Sequence, residues 1–344
     1  MANDKPVQVK AWNEGWLQVK VPLPFSLRYV NSYVLPEPAG GYTVVDPGLH
    51  TPEAVAAWES AFEQEGIAFT DIKRIVVTHQ HPDHYGLAGL FQERSGAPVW
   101  MTEASHSYAV RMWGEHRELG DKLVALFDIH GMPDELVEGV ADNLESFLPC
   151  VSPQPSVTYM KAGDPFTFGG IEWATIDAPG HALGQILFYD PVSRTLLCGD
   201  QVMPDITPNV SLVPDELDDP LDAFMQSLEL LSMLDVSMAF PGHRNPFPKF
   251  TERCIELKEH HERRLDSIVD LLNEQDRQPA TGFELCELLF GTRHRENKHN
   301  LRFAMAETLA HLAYLVKRGR IAQVERDGKL FYSRADRQDG NVAY

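Results

Sequence analysis

A mixed α/β (α+β) fold in two unequal parts is predicted by three observations on the 344-residue sequence. Residues 1–50 are short β-branched and aromatic runs broken by Pro and Gly. From there to about residue 248, apolar strand-like runs alternate with stretches of helical periodicity. Beyond Pro248 the pattern changes to charged helices followed by a hairpin signal.

In chain order, "WLQVKVPL", "VNSYVL" and "YTVVD" read as strands. Thr51-Pro52-Glu53 then marks a helix start: a hydroxyl to accept from a free N–H, a proline where no donor is needed, and an acid in the first turn. A strand at 73–78 follows, then "YGLAGLFQERSG" as a helix that Gly96 ends, then the strand "PVWM". From about 103 to 150 a helical insert carries Tyr108, Met112, Trp113, Leu123, Leu126, Phe127, Met132, Leu136 and Phe147. Strands return at 157–199 in "FTFGGIEWATIDAPG" and "QILFYDPVSRTLLCGD". After the Pro-rich loop "VMPDITPNVSLVPDELDDP", a helix around 219–234 leads to the strand "SMAFPGH".

The remainder predicts a long charged helix ending near Pro279, then "TGFELCELLFG", a helix from about 299 to 318, and the hairpin "IAQVERDGKLFYSR". In that hairpin Asp327-Gly328 suits a type I′ turn. The expected division is 1–248 as a larger domain containing the insert, and 249–344 as a linker helix plus a winged-helix-like domain.

The formal charge of −20 is unevenly placed: residues 251–344 hold 16 basic and 16 acidic side chains, so the first 250 carry 14 against 34. Such a surface argues against general nucleic-acid binding, which needs clustered Lys and Arg at the phosphates. The C-terminal part does hold a basic stripe of Arg293, Arg295, Lys298, Arg302, Lys317, Arg318 and Arg320, facing only Glu296 and Glu307. Its charges sit mainly at the ends of an otherwise apolar helix, which leaves few side chains to read base edges. The expected partners are therefore a small-molecule substrate and a second copy of the chain, with neither nucleic acid nor membrane. No apolar run reaches membrane-spanning length and the N-terminus lacks a basic region followed by an apolar one, so a cytoplasmic protein is expected. Cys150, Cys198, Cys254 and Cys286 form no CxxC pair and read as free thiols.

The chemistry concentrates in "VVTHQHPDHYG", residues 76–86, where an apolar strand opens into His79, His81, Asp83 and His84. Three further strand ends supply partners: His181 in "DAPGHALGQ", Asp200 in "LLCGDQVMP" and His243 in "AFPGHRNPF", each beside a glycine that allows a tight turn. Neutral imidazoles and carboxylates suit zinc, iron or manganese, and a bridging carboxylate can hold a pair of ions. The remaining histidines, His50, His106, His116, His130, His260, His261, His294, His299 and His311, read as ordinary surface or core residues.

This pattern resembles the metallo-β-lactamase superfamily, with its HxHxDH signature at 79–84 and the later His, Asp and His in the same order. The resemblance covers about residues 15–245. It implies a four-layer αββα sandwich with two divalent ions, zinc first and iron or manganese as substitutes, between the edges of two sheets. His79, His81 and His181 would hold one ion, Asp83, His84 and His243 the other, with Asp200 bridging. Asp46 in "VVDPG" matches a strand-end aspartate that supports the histidine loop. The C-terminal part resembles the small winged-helix domain of the hydroxyacylglutathione-hydrolase-like, β-lactamase-like branch.

The implied activity is that of a binuclear hydrolase using a metal-bridging hydroxide on a small ester, thioester or lactone, with Asp83 and Asp200 also able to accept a proton. The insert would either cover the ions and supply an apolar pocket or pack as ordinary amphipathic helices onto the sandwich. A nuclease of the same fold, and an iron-dependent redox enzyme, are the alternatives. The redox reading is disfavoured because position 81 is His and the second ligand set is complete.

Overall fold

Turn chemistry and strand alternation build two sheets that face one another, seen here in a computed structural model that describes residues 8–12, 15–115, 117–273 and 278–335. His116, and the stretch 274–277 through which the long helix was expected to run, lie outside the described residues. The first sheet has seven strands in chain order: β1 (Val9–Ala11), β2 (Leu17–Pro22), β3 (Tyr29–Pro36), β4 (Tyr42–Val45), β5 (Ile72–Val76), β6 (Val99–Thr102) and β7 (Val157–Met160). It is antiparallel up to β4 and parallel from β4 to β7. Parallel neighbours need crossovers, which helices provide: α1 (Pro52–Glu65) before β5, α2 (Pro82–Tyr85) and α3 (Ala88–Ser95) before β6, and α4 (Glu103–Trp113), α5 (Leu119–Ile129) and α6 (Asp134–Glu145) before β7.

The second sheet runs β12-β11-β10-β9-β8, from β8 (Phe166–Phe168), β9 (Ile171–Asp177), β10 (Ile186–Asp190), β11 (Thr195–Gly199) and β12 (Met238–Pro241). Only β11 and β12 are parallel within it, and α7 (Pro220–Leu231) lies in their connection. Between the two sheets Trp16, Tyr33, Leu35, Val45 and Val76 meet Phe168, Trp173, Phe188, Leu197 and Phe240. Ring centroids cross the interface at 5.7 Å for Trp16–Trp173 and 5.6 Å for Tyr33–Phe240. Each such buried side chain contributes about 1.5–3 kcal/mol of transfer free energy, which makes this layer the main cohesive term of the sandwich.

The predicted helix start is present: Thr51 Oγ1 accepts from Ala54 N at 3.1 Å. Behind it Trp58 and Phe91 pack edge to face at 5.0 Å, and Trp58 Nε1–H donates to the Pro47 carbonyl at 2.7 Å. The first strand, Val9–Ala11, was not foreseen, because three residues are too few to show a period.

The C-terminal elements are α8 (Phe250–Asn273), β13 (Ala280–Thr281), α9 (Gly282–Phe290), α10 (Lys298–Lys317), β14 (Ile321–Arg326) and β15 (Lys329–Arg334), with the sheet ordered β13-β15-β14. The hairpin turns at Asp327 and Gly328, with φ of 49° and 73°. By contact the described residues fall into two compact units. One is drawn from Met1–Glu118, Leu144–Pro208 and Gln226–Ile255, the other from Leu119–Asn143, Asn209–Met225 and Glu256–Tyr344.

Composition places a boundary near 248 and keeps the whole insert with the catalytic part; contact instead groups α5, most of α6 and residues 209–225 with the C-terminal helices. The reason is direct pairing within that second unit. Phe283 N donates to the His130 carbonyl at 2.9 Å, Leu212 N to the Ala306 carbonyl at 3.0 Å, and Lys329 Nζ lies 2.5 Å from Asp128 Oδ1. Tyr332 Oη stands 2.9 Å from His130 Nδ1 over a stacked ring pair.

Burial pushes the His130 imidazole down to about 4 and holds the Tyr332 phenol above its ordinary range, so two neutral groups share this hydrogen bond. Tyr332→Phe leaves a buried ring nitrogen without its hydrogen-bond partner and is expected to cost about 1–3 kcal/mol in a denaturant titration at neutral pH. The folded pKa of His130 lies below its unfolded value. Its contribution is therefore complete above about pH 6.5 and lost as pH falls towards 4, at about 1.4 kcal/mol per unit. A His130→Gln variant should show a correspondingly flatter stability profile over that window; superimposable profiles would refute the assignment.

Candidate metal centre

The buried residues Ile75, Val76 and Val77 carry the chain into the interior and deliver Thr78 and His79 at the edge of the sandwich. His81 caps α2 with extended backbone, φ −62° and ψ 143°, and Pro82 at the next position starts the turn without an idle N–H. That single turn brings Asp83 and His84 back towards His79.

One carboxylate organises the loop. Asp46, which ends β4 at φ 52°, accepts from Thr78 N at 2.7 Å, from Thr78 Oγ1 at 2.8 Å and from His84 Nδ1 at 2.9 Å. Sequence reading identified Asp46 as this support; it did not identify Thr78.

The second sheet supplies the facing residues. The loop carrying His181 is tied down by Thr102 Oγ1, which donates to the Gly184 carbonyl at 2.6 Å, and by Ser105 Oγ, which donates to that of Leu183 at 3.3 Å. Asp200 and His243 follow the ends of the parallel pair β11 and β12, joined by Gly242 N donating to the Gly199 carbonyl at 2.7 Å. Position 242 must be glycine for a steric reason: a Cβ there would lie 2.2 Å from Asp200 Oδ1 and 2.6 Å from His84 Cε1. His243 is oriented by its Nδ1, 2.9 Å from the Tyr29 carbonyl, and its backbone neighbours Pro241 and Arg244 both accept from Asn31 Nδ2. Neither Tyr29 nor Asn31 was foreseen. A carbonyl acceptor carries no sequence signal, and Asn31 reads as an ordinary strand residue.

All seven singled-out residues converge. Ligand atoms of His79, His81 and His181 lie within 4.8 Å of one another, as do those of Asp83, His84 and His243, and those of His79, His84 and Asp200. His79 Nε2 stands 3.1 Å from His81 Nδ1. Asp200 sits between the triads, 3.4 Å from His84 Nε2, 3.2 Å from His243 Nε2 and 3.9 Å from His181 Nε2. Asp83 Oδ2 is 3.1 Å from His243 Nε2. His79, His84, His181, Asp200 and His243 are buried, while His81 and Asp83 are partly exposed and form the open side.

Buried donors aimed at one point without satisfying one another are the mark of a cation site. Nε2 of His84, Nε2 of His243 and Oδ1 of Asp200 are buried and lack hydrogen-bond geometry, although each has an opposite group within 3.4 Å. Burial, reinforced by the neighbouring imidazoles, holds His79 well below its ordinary value and His81 at about 3, so both present lone pairs. Burial opposes charge on His243 as well, but the Asp200 carboxylate outweighs it and pushes that imidazole up to about 10; His84 is likewise raised by Asp200 and Asp46. Asp200 and Asp83 stay ionised against burial because these imidazoles face them. Protons thus occupy places that divalent ions suit better, and the donor set fits a metal.

None of the other described histidines belongs to these groups: His50, for example, contacts the Ser152 carbonyl, and His106 pairs with Tyr159. Cys198 is a buried thiol that donates to the Val202 carbonyl at 3.3 Å, outside the cluster.

Residues 26–243 match the family model described as the metallo-beta-lactamase superfamily. The chain belongs to the metallo-β-lactamase superfamily. Residues 265–335 match a second model, the metallo-beta-lactamase-like C-terminal domain. The "Probable metallo-hydrolase YqjP" of Bacillus subtilis (strain 168) is 27% identical over 310 residues, spanning 88% of this chain and 92% of that protein. A hydroxyacylglutathione hydrolase of Thermosynechococcus vestitus is 33% identical over only 94 residues, 36% of its length, so the likeness to that branch is slight.

Among solved structures of the superfamily, a family protein from Thermus thermophilus superposes with a TM-score of 0.81 at 34% identity, covering 93% of this chain and 98% of that one. A β-lactamase domain protein from Burkholderia ambifaria reaches 0.82 at 27% identity, over 97% of both chains. The mixed α/β sandwich and the C-terminal part are therefore shared at full length.

Asp46→Asn would turn an amide N–H towards His84 Nδ1 where an acceptor is needed. It is expected to weaken metal retention by about 10–100-fold with the fold intact, read by chelator competition and circular dichroism. Unchanged retention would show that the clamp is structural only.

Proposed function

We propose that the chain, a metal-dependent hydrolase of the metallo-β-lactamase superfamily, holds two divalent ions and hydrolyses a small ester, thioester or lactone. The observation that carries this reading is the position of Asp200 between two triads of ligand type, within 3.4 Å of His84 and 3.2 Å of His243. His79, His81 and His181 would hold one ion, Asp83, His84 and His243 the second, and Asp200 both. Zinc is the first choice for this donor set, with iron or manganese as substitutes. When bound, such ions supply a hydroxide near neutral pH and polarise the scissile carbonyl. Asp83, on the open side, would accept the proton lost by water, and Asp46 and the Tyr29 carbonyl keep His84 and His243 oriented.

An apolar substrate is supported by an aromatic group beside α2. Phe147 lies 5.7 Å from Phe25 and 6.1 Å from Trp113 between ring centroids. Three residues on, the Cys150 carbonyl accepts from His50 N at 3.0 Å and lies where a Cβ on Gly86, at the end of α2, would come within 2.4 Å of it. The nuclease alternative finds less support, because much of the C-terminal basic stripe is internally paired: Arg295 with Glu287, Arg318 with Asp219 and Asp222, and Arg320 with Asp266. No helix of the described residues is long and apolar enough to cross a membrane. A homodimer remains part of the proposal, to be read by sedimentation.

The test is a panel of esters, thioesters, lactones and phosphodiesters offered to chelator-stripped and metal-reconstituted protein. Activity should return with metal and favour the carboxylic substrates. Asp200→Ala should lose both cluster-bound ions and at least about 100-fold in kcat/KM; full activity in that variant would rule out the two-ion reading.

Truncating Trp113 or Phe147 to Ala is expected to raise KM for bulky acyl groups several-fold, with metal content and the kcat for small substrates unchanged. Uniform loss of stability with the same substrate ranking would assign these rings to packing alone.

A further inference from the structure

A second cluster of ligand-type side chains lies in the C-terminal unit, formed by α8 and α10. His261 and His311 are 0% exposed and Glu307 is 7% exposed, and their ligand atoms lie within 4.8 Å of one another. Each histidine was expected to be an ordinary surface or core residue, and neither belongs to the Asp200 cluster.

The orientation of His311 is that of a ligand. Its Nδ1–H donates to the Glu307 carbonyl at 2.8 Å, which leaves the Nε2 lone pair directed at His261 Nδ1, 3.1 Å away. The Asp200 cluster uses the same two devices: His243 is fixed through Nδ1 by the Tyr29 carbonyl at 2.9 Å, and His79 faces His81 at 3.1 Å. Two nitrogens bound to one ion at about 2.0–2.1 Å necessarily stand about this far apart. Glu307 precedes His311 by one helical turn and so shares its face. Its oxygens are anchored, one by Arg264 and the other by Asn209 Nδ2 at 2.8 Å, as ligating carboxylates commonly are. His261 Nε2, the ring nitrogen turned away from His311, is buried without a hydrogen-bond partner, so the polar groups around this histidine are not fully satisfied.

We infer that His261, Glu307 and His311 form a separate binding site for a divalent cation of zinc type, which ties α8 to α10. Burial first, with His260 and the Arg264 guanidinium nearby, keeps both rings neutral, His261 down to about 2 and His311 to about 3, so binding needs no deprotonation of nitrogen at neutral pH. The Arg264 guanidinium beside Glu307 repels a cation, which makes this site weaker than the one around Asp200. Its role is structural, because buried ligands leave no path for a substrate.

The experiment uses the full-length chain with the Asp200 cluster silenced by His79→Ala and Asp200→Ala, stripped by chelator and titrated with Co²⁺ and Zn²⁺. The silenced chain should retain about one equivalent, show visible ligand-field bands with Co²⁺, and melt several degrees higher with Zn²⁺. Adding His311→Gln or the isosteric Glu307→Gln should abolish the equivalent, the bands and the shift. X-ray absorption of the zinc-loaded silenced chain gives a readout that needs no further variant, and should show imidazole scattering from two ligands. Absence of bound metal in the silenced chain, retention unchanged by His311→Gln, or a spectrum without imidazole would overturn the site and leave His261 and His311 as a hydrogen-bonded pair.

Discussion

The arrangement rests on the carboxylate of Asp46. Its two oxygens collect a backbone N–H, a hydroxyl and an imidazole from residues 78 and 84, and through them lock the end of β4 to the end of β5 and to the helix carrying His84. A buried carboxylate is costly unless each lone pair is used, and here the cost is offset by three donors drawn from one short loop. The consequence is geometric: once Thr78 and His84 are fixed, His79, His81 and Asp83 between them have few conformations left. The facing residues need their own anchor, which Asn31 provides by bonding both flanks of the segment that carries His243.

The electrostatics of the cluster follow from this convergence. Two carboxylates, buried Asp200 and partly exposed Asp83, cannot sit among five imidazoles without countercharge, and the raised proton affinity of His84 and His243 answers to it. That solution satisfies charge but not direction, since Nε2 of both rings and Oδ1 of Asp200 lack hydrogen-bond alignment. A divalent ion meets both requirements with one particle, because coordination asks lone pairs to point inward and does not ask protons to lie between them. Apolar walls matter as much as ligands: the aromatic layer between the sheets makes the local dielectric low enough for these terms to be large.

Much of the site was legible in the sequence because it is built from local signals. Each of the four ligand-bearing segments ends an apolar run, and three carry a glycine immediately before the ligand, as at Gly180, Gly199 and Gly242. The HxHxDH spacing also reports a single helical turn. Asp46 was legible for the same reason, standing at the end of "YTVV". What stayed hidden is non-local: the Tyr29 carbonyl, the Asn31 amide, and the grouping of 119–143 with the C-terminal helices, which depends on contacts such as His130 with Tyr332 across 202 positions. His261 and His311 were read as ordinary for a related reason. They lie on helices 50 positions apart, and the i to i+4 relation of Glu307 and His311 becomes informative only once α8 is known to face them.

Charge bears on the substrate class proposed above. The first 250 residues carry 34 acidic against 14 basic side chains, and a field of that sign extends beyond the ligands themselves. It raises the local concentration of divalent cations and lowers that of anions. A phosphodiester or polynucleotide approaching Asp83 and His81 from the open side would have to cross that field, with the basic residues Arg295, Arg318 and Arg320 already committed to internal pairs. A neutral ester, thioester or lactone, as proposed above, would cross it without penalty; of the rings grouped beside α2, Trp113 and Phe147 are buried and Phe25 is partly exposed. The same acidic surface that would favour loading the centre with metal thus supports the proposal of uncharged acyl substrates, and both arguments trace to one uneven distribution of charge along the chain.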